Sequence, residues 1–221
     1  AGGNNNKDFM KRLTSHGLLS LFSLLLPALL LLTLFGDQTS VVLLTSGKYS
    51  LSDALLTSDV LFYFAITMPI AAWYTFLQRV SYAIDDFTPS LIITAIVAVI
   101  DIVSMIILLQ VRKEVSSIAL ASVISFSIGL ILYIGYLLKR NVLSLFQYKF
   151  FFNMFKIGVA NIPLFLFLYY IKSIATSSMF ASMNTFLSFL SLSGIYLAAV
   201  VITFIMYSLA HIDVVSLFKK K

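Results

Sequence analysis

Apolar residues in this chain fall in six long blocks, at about 18–35, 60–80, 91–111, 115–138, 150–172 and 186–209, separated by shorter polar stretches. A helix of roughly 20 apolar residues crosses a hydrocarbon core about 30 Å thick. Each block therefore predicts a transmembrane helix, and the fold class is an all-α polytopic membrane protein with about six spans. Pro27, Pro69 and Pro163 each lie inside a block. A proline there frees a backbone carbonyl and predicts a kink, which a bundle tolerates when neighbours satisfy that carbonyl. In the fourth block Ser117, Ala121, Ser125 and Gly129 recur every fourth residue. In the sixth, Ser188, Ser191, Gly194 and Ala198 share a face. Both are small-residue faces that suit close helix packing, or a sliding contact in a moving transporter.

Between the first two blocks, "GDQTSVVLLTSGKYSLSDALLTSDV" is too polar to span. Ser50 with Asp53 three residues on forms a capping pattern, and Leu51, Ala54, Leu55 and Val60 predict a short amphipathic helix at the outer surface. Pro89 suits the first turn of the third span. "AGGNNNKDFMKRL" lacks the apolar region and cleavage site of a signal peptide. Such a polar Gly/Asn run reads as a linker, so the chain is expected to be a fragment, a processed chain or a subunit of something larger. The predicted divisions are a polar cytoplasmic segment at 1–17, four spans at 18–140, and two further spans with a basic tail at 141–221.

Composition agrees with the pattern: 60% of residues are hydrophobic and 11% charged, against about a quarter charged in a soluble domain. Without cysteines, disulfides and thiolate metal sites are excluded. With the N-terminus in the cytoplasm, six crossings return the C-terminus there. The inner side then holds eleven basic residues and the outer side four, Lys48, Arg112, Lys113 and Lys172, as the positive-inside rule requires. The net charge of +6 is explained by this topology and by anionic headgroups. The charges sit scattered at helix ends and form no basic face, which argues against nucleic acid as a partner.

Asp101 is the acidic residue deep in a span. A central aspartate costs about 2.5–3.5 kcal/mol on insertion scales, so it should face protein or a water-filled cavity. Thr94, Ala98 and Ser104 lie near its face at helical spacing, and Ser122 or Ser125 of the next, antiparallel helix can approach it. Three readings stay open: a neutral aspartic acid hydrogen-bonded to serines, part of a cation or proton site that drives transport, or one half of an ion pair with a basic residue elsewhere. Arg79 and Lys156 lie near cytoplasmic ends, where snorkelling to headgroups is the default and contact with an anionic substrate headgroup the alternative. His16 and His211 have no ligand-spaced partners, and Asp85 with Asp86 reads as loop structure rather than a metal site. The sequence contains no phosphate loop, nucleophile elbow or zinc motif, so catalysis is not expected.

"LQRVSYAIDDFTP" resembles a segment of the MurJ/MviN lipid II flippases, of the MOP exporter superfamily: Tyr82, Ala83, Asp86, Thr88 and Pro89 match, with a turn one residue shorter. "LLTSGKYSLSDALLTSDVL" resembles the family's outer loop through Gly47, Tyr49, Ser50, Asp53, Ala54 and Thr57, and "SIALASVISFSIGLILYIGYLLKR" resembles the following helix. The resemblance implies the last six of fourteen helices, with four closing the second transporter lobe and two forming an extra pair. It implies a lipid-tail groove on that pair, for which Phe151, Phe155, Phe165 and Tyr169 are candidates. It further implies a coupling-ion site, for Na⁺ or H⁺, at Asp101, Ser104 and Ser122, with Met105 where a second polar ligand would stand. The implied activity is flipping of an undecaprenyl-linked peptidoglycan precursor by alternating access in the bacterial inner membrane, with an N-terminal half or a second subunit as partner. The rival expectations are a polysaccharide-lipid exporter of the same superfamily and a non-transporting membrane scaffold.

Overall fold

The computed structural model describes residues 2–44, 50–84, 87–143, 148–210 and 212, with side chains from residue 9 onward. Gly47, Tyr49, Asp85, Asp86, His211 and the lysines at 219–221 lie outside the described residues. Eight α-helices follow one another among those described: α1 Gly2–Leu44, α2 Leu51–Ala83, α3 Phe87–Arg112, α4 Ser116–Lys139, α5 Tyr148–Ala160, α6 Ile162–Ile174, α7 Ser177–Ser182 and α8 Thr185–Leu209. Six are long and apolar enough to cross a membrane when α5 and α6 are taken as one span, Tyr148–Ile174.

Two boundaries differ from expectation. α1 is helical from Gly2, through the Gly/Asn run, and continues to Leu44 through "GDQTSVVLL". Its backbone departs from helical geometry at Phe35 (φ −110°, ψ 17°) and not at Pro27. Beyond that bend Gln38, Thr39 and Ser40 are buried, so this polar stretch packs into protein and is not an outer loop. The Ser50–Asp53 capping box is present, with Asp53 N–H donating to Ser50 Oγ and Ser50 N–H to Asp53 Oδ2. The helix it starts is α2 itself, because no glycine or proline follows until Pro69. The separate surface helix is therefore corrected. Ala54 and Ser58 turn inward while Leu51, Leu55 and Leu56 point out, the arrangement of a lipid-facing helix that packs through its small residues.

α2 packs on α1, and α4 packs on both α2 and α3. The small face of α4 is the reason for the latter: Ser117, Ala121, Ser125 and Gly129 are all buried, and the row continues into Tyr133 and Leu137. α4 ends where Asn141 takes a left-handed conformation (φ 59°). Val142 N–H then bonds to Leu137 O and Asn141 N–H to Leu138 O, the two reversed bonds of a Schellman stop. At the far end Arg112 ties α3 to α2 and to the α3–α4 turn, by donating to Tyr63 OH at 3.1 Å and pairing with Glu114 at 3.1 Å. The small face expected on α8 does not form a packed seam. Ser188 is buried, but Ser191 and Gly194 are exposed, because α8 meets α1 through Leu192, Ala199 and Tyr207 instead.

Two apolar cores result. One joins Leu18 and Leu19 of α1, Tyr74 and Leu77 of α2, α4 and α5. The other joins Leu31 and Phe35 of α1 to α6, α7 and the first half of α8.

Candidate functional site

Asp101 faces protein. Ser90, Thr94, Val97, Asp101 and Ser104 follow at spacings of four, three, four and three, which places them on one side of α3. That side meets α2 and α4 through a series of polar contacts. Ser90 Oγ and Tyr133 OH lie 2.6 Å apart, and Thr94 Oγ1 accepts from Gln78 Nε2 at 3.0 Å and from Tyr74 OH at 3.3 Å. Two turns beyond Thr94, Ser125 Oγ donates to Asp101 Oδ1 at 2.7 Å. Ser125 also lies 3.2 Å from the carbonyl of Ser122. The hydroxyl brought to the carboxylate is thus that of Ser125, one turn along α4 from Ser122. Asp101, Ser104, Met105 and Ser122 are all half-buried. No group of three or more His, Asp or Glu side chains gathers among the described residues. The donor set for an ion within the chain is therefore one carboxylate and neighbouring hydroxyls. That set suits a proton, or part of a sodium shell whose other oxygens come from elsewhere.

The aromatic candidates divide. Phe155 lines a groove of about 390 Å³ between α5 and α8, together with Phe152, Lys156, Val159, Met206 and Leu209. Lys156 is half-buried there, whereas Arg79 is exposed on α2. Phe151 does not line that groove and packs edge-on against Phe150 at 5.9 Å. Phe165 and Tyr169 stack on each other at 6.2 Å on α6, beyond the helix break. A second apolar groove of about 470 Å³ runs between α1 and α8, from Ser23 and Pro27 to Thr203 and Tyr207.

That second groove holds a polar link that sequence reasoning missed. Pro27 has no N–H, so the carbonyl of Ser23 lacks its helical donor. Tyr207 OH supplies it at 2.6 Å from α8, and in turn accepts from Asn161 Nδ2 at 2.9 Å. The signal was a proline in one apolar block and an asparagine beside Pro163 in another. The Tyr207→Phe variant is expected to lose about 1–2 kcal/mol, because it orphans a buried carbonyl. Pro27→Ala in the same chain should restore most of that loss, because the new N–H reaches Ser23 O within α1. Denaturation midpoints in detergent for the two single variants and the double one measure this coupling.

Six membrane-length helices, a small-residue seam on α4 and a carboxylate turned into the protein at mid-span define a polytopic α-helical membrane protein. A family model described as "Lipid II flippase MurJ" matches residues 2–197, so the chain belongs to the MurJ lipid II flippase family. It is 25% identical to the "Probable lipid II flippase MurJ" of Borreliella burgdorferi over 211 residues, covering 96% of this chain and 40% of that protein. In fold it is similar to the solved "Lipid II flippase MurJ, inward closed conformation", with a TM-score of 0.73 at 18% identity, over 96% of this chain and 41% of that one. The chain thus spans about two-fifths of the length of the relatives it matches. Family and helices together place it in the bacterial inner membrane as a multi-pass protein.

Proposed function

We propose that this chain is the C-terminal portion of a flippase for a lipid-linked peptidoglycan precursor, lipid II, and that it works by alternating access with further helices supplied by an N-terminal half or a second subunit. The observation that carries the reading is the family match over residues 2–197. The family match favours lipid II over a polysaccharide-lipid exporter, and transport over a passive scaffold. Transport of this kind breaks no covalent bond, so no catalytic residue is assigned.

Alternating access needs two states whose balance an ion or the membrane potential can bias, and only differential binding or charge movement does so. Asp101 with Ser125 is the proposed binding point for a proton or Na⁺, with Ser104 and Ser122 flanking it. The substrate's polar head would cross inside the assembled protein, with Lys156 and Arg79 as its candidate cationic contacts. Its polyprenyl tail would remain in lipid against the α5–α8 groove at Phe155. Phe151, Phe165 and Tyr169 are then aromatic surface beside that groove.

The test reconstitutes the chain in vesicles, alone and with a segment corresponding to the remaining length of a full flippase. The readout is quenching of a fluorescent lipid II analogue from outside. Flipping is expected from the combination alone. Translocation by the 221-residue chain alone would overturn the shared-transporter reading. A silent combination beside an active full-length relative would overturn the flippase reading.

A further inference from the structure

The fifth span is broken at its centre, with thirteen residues in α5 and thirteen in α6. Between them Asn161 sits at φ −92°, ψ −4°. Its N–H returns to Gly158 O at 3.1 Å, a tighter turn than an α-helix makes, so Ile157 O loses its usual donor. The side-chain Nδ2 of Asn161 fills that place at 2.8 Å. Two residues on, Pro163 has no N–H to offer Val159 O. Two supports of the helical ladder, at Ile157 O and Val159 O, are therefore replaced or missing. Gly158 softens the same turn without any packing reason, because a Cβ built on it meets nothing within 4 Å. Glycine there weakens a helix relative to alanine.

The break also falls on the boundary between the two cores. α5 sends Phe150, Ile157 and Ala160 into the core shared with Leu18, Leu19 and Tyr207. α6 sends Leu164 and Leu168 into the other, shared with Leu31, Phe35 and Ala199. Polar contacts hold α6 further: Lys172 pairs with Asp37 at 3.7 Å, and Gln38 Nε2 donates to Ala175 O at 2.9 Å just past its end. Asp37 in turn accepts from Ser58 Oγ of α2. Asn161 is 3% exposed, and its Oδ1 is buried with no donor. An orphaned buried acceptor of this kind is costly, so the arrangement shown is not the one that satisfies every polar group at the break.

We infer that Asn161 is a hinge within the fifth span. α6 stays fixed to the bent second half of α1, while α5 swings about Gly158, Asn161 and Pro163. The swing moves Phe152, Phe155 and Lys156 against Met206 and Leu209, so it sets the width of the α5–α8 groove. The hinge is a property of the backbone and holds whatever lipid lies in that groove.

The chain has no cysteine, so two introduced cysteines carry spin labels without background. Ile131 of α4 is 67% exposed and serves as the fixed reference. One pair labels Phe152→Cys on α5 with Ile131→Cys, the other Tyr169→Cys on α6 with Ile131→Cys, in the whole chain in lipid nanodiscs. The distance distribution from α5 is expected to be at least twice as wide as that from α6. Gly158→Ala with Pro163→Ala adds a methyl and restores an N–H, and it should narrow the α5 distribution to the width of the other. Equal widths in the parent sequence overturn the hinge, as does an α5 width that the double variant leaves unchanged. A double variant that broadened both pairs would have lost its fold, and the parent comparison then decides alone.

Discussion

The Asp101→Leu variant is expected to be more stable than the parent and inactive in transport. A carboxylate at mid-span costs about 2.5–3.5 kcal/mol, and the single hydrogen bond from Ser125 returns only about 0.6–1.7 kcal/mol in a membrane interior. Leucine removes the cost, and Ser125 Oγ keeps the Ser122 carbonyl within reach at 3.2 Å, so no polar atom is orphaned. A gain of roughly 1–2 kcal/mol follows, readable from the fluorescence of Trp73, the single tryptophan, during denaturation in detergent. Transport by the chain assembled with its remaining helices should fall to the level of empty vesicles. Asp101→Asn separates the readings. It keeps an acceptor for Ser125 and an oxygen able to ligate Na⁺ but carries no titratable proton, so a proton-coupling role makes it as inactive as leucine, whereas a sodium-ligating or purely hydrogen-bonding role leaves it active. Normal transport by Asp101→Leu would remove the carboxylate from the mechanism altogether.

The six spans were legible because membrane thickness alone fixes how many apolar residues a crossing needs. Hydropathy could not separate a polar loop from a polar helix buried in protein. Gln38, Thr39 and Ser40 read as loop residues, yet they lie inside α1 because Gln38 bonds to Ala175 O and Thr39 meets Tyr196 OH across 137 and 157 positions of sequence. The amphipathic reading of residues 51–60 failed for a related reason. In water the leucines of such a helix turn inward, whereas here Leu51, Leu55 and Leu56 are exposed and Ala54 is buried.

The candidate site was half legible. A lone carboxylate among apolar residues announces its own cost, so Asp101 stood out. Which hydroxyl would meet it depends on how far α4 is shifted along α3, and Ser122 and Ser125 differ by a single turn. The turn between the helices sets that shift at Lys113, which adopts φ 55°, and the close approach of Gly129 to Val97 fixes it further along. No pattern in either helix alone contains the offset. The aromatic groove was illegible by side: lipid-facing and groove-facing positions are equally apolar, so Phe155 and Phe151 look alike until α8 is placed.

The close approach that fixes this register gives the second large effect. A Cβ at Gly129 would lie 2.5 Å from Val97 Cγ2 and 2.8 Å from Tyr74 Cε2. Neither neighbour is free to retreat. Val97 is 6% exposed, and the Tyr74 ring lies edge-on to Phe126 at 5.3 Å and to Tyr133 at 5.2 Å while its hydroxyl reaches Thr94. Gly129→Leu must therefore part α4 from α2 and α3, at a cost at or above the upper end of about 1–3 kcal/mol for an overpacked core. Ser125 lies one turn away on the same buried face, so the separation also draws its hydroxyl off Asp101, and transport should fall with stability. Gly129→Ala brings the first methyl alone and should lose about 1–2 kcal/mol. Val97→Ala in the same chain removes the nearer obstacle and should recover at least half of that loss, as neighbouring sites in contact do not add. Midpoints for the two single variants and the double one, followed through Trp73, decide the matter. Strict additivity, or a Gly129→Leu chain as stable as the parent, would show that α3 and α4 are not held in register at this crossing.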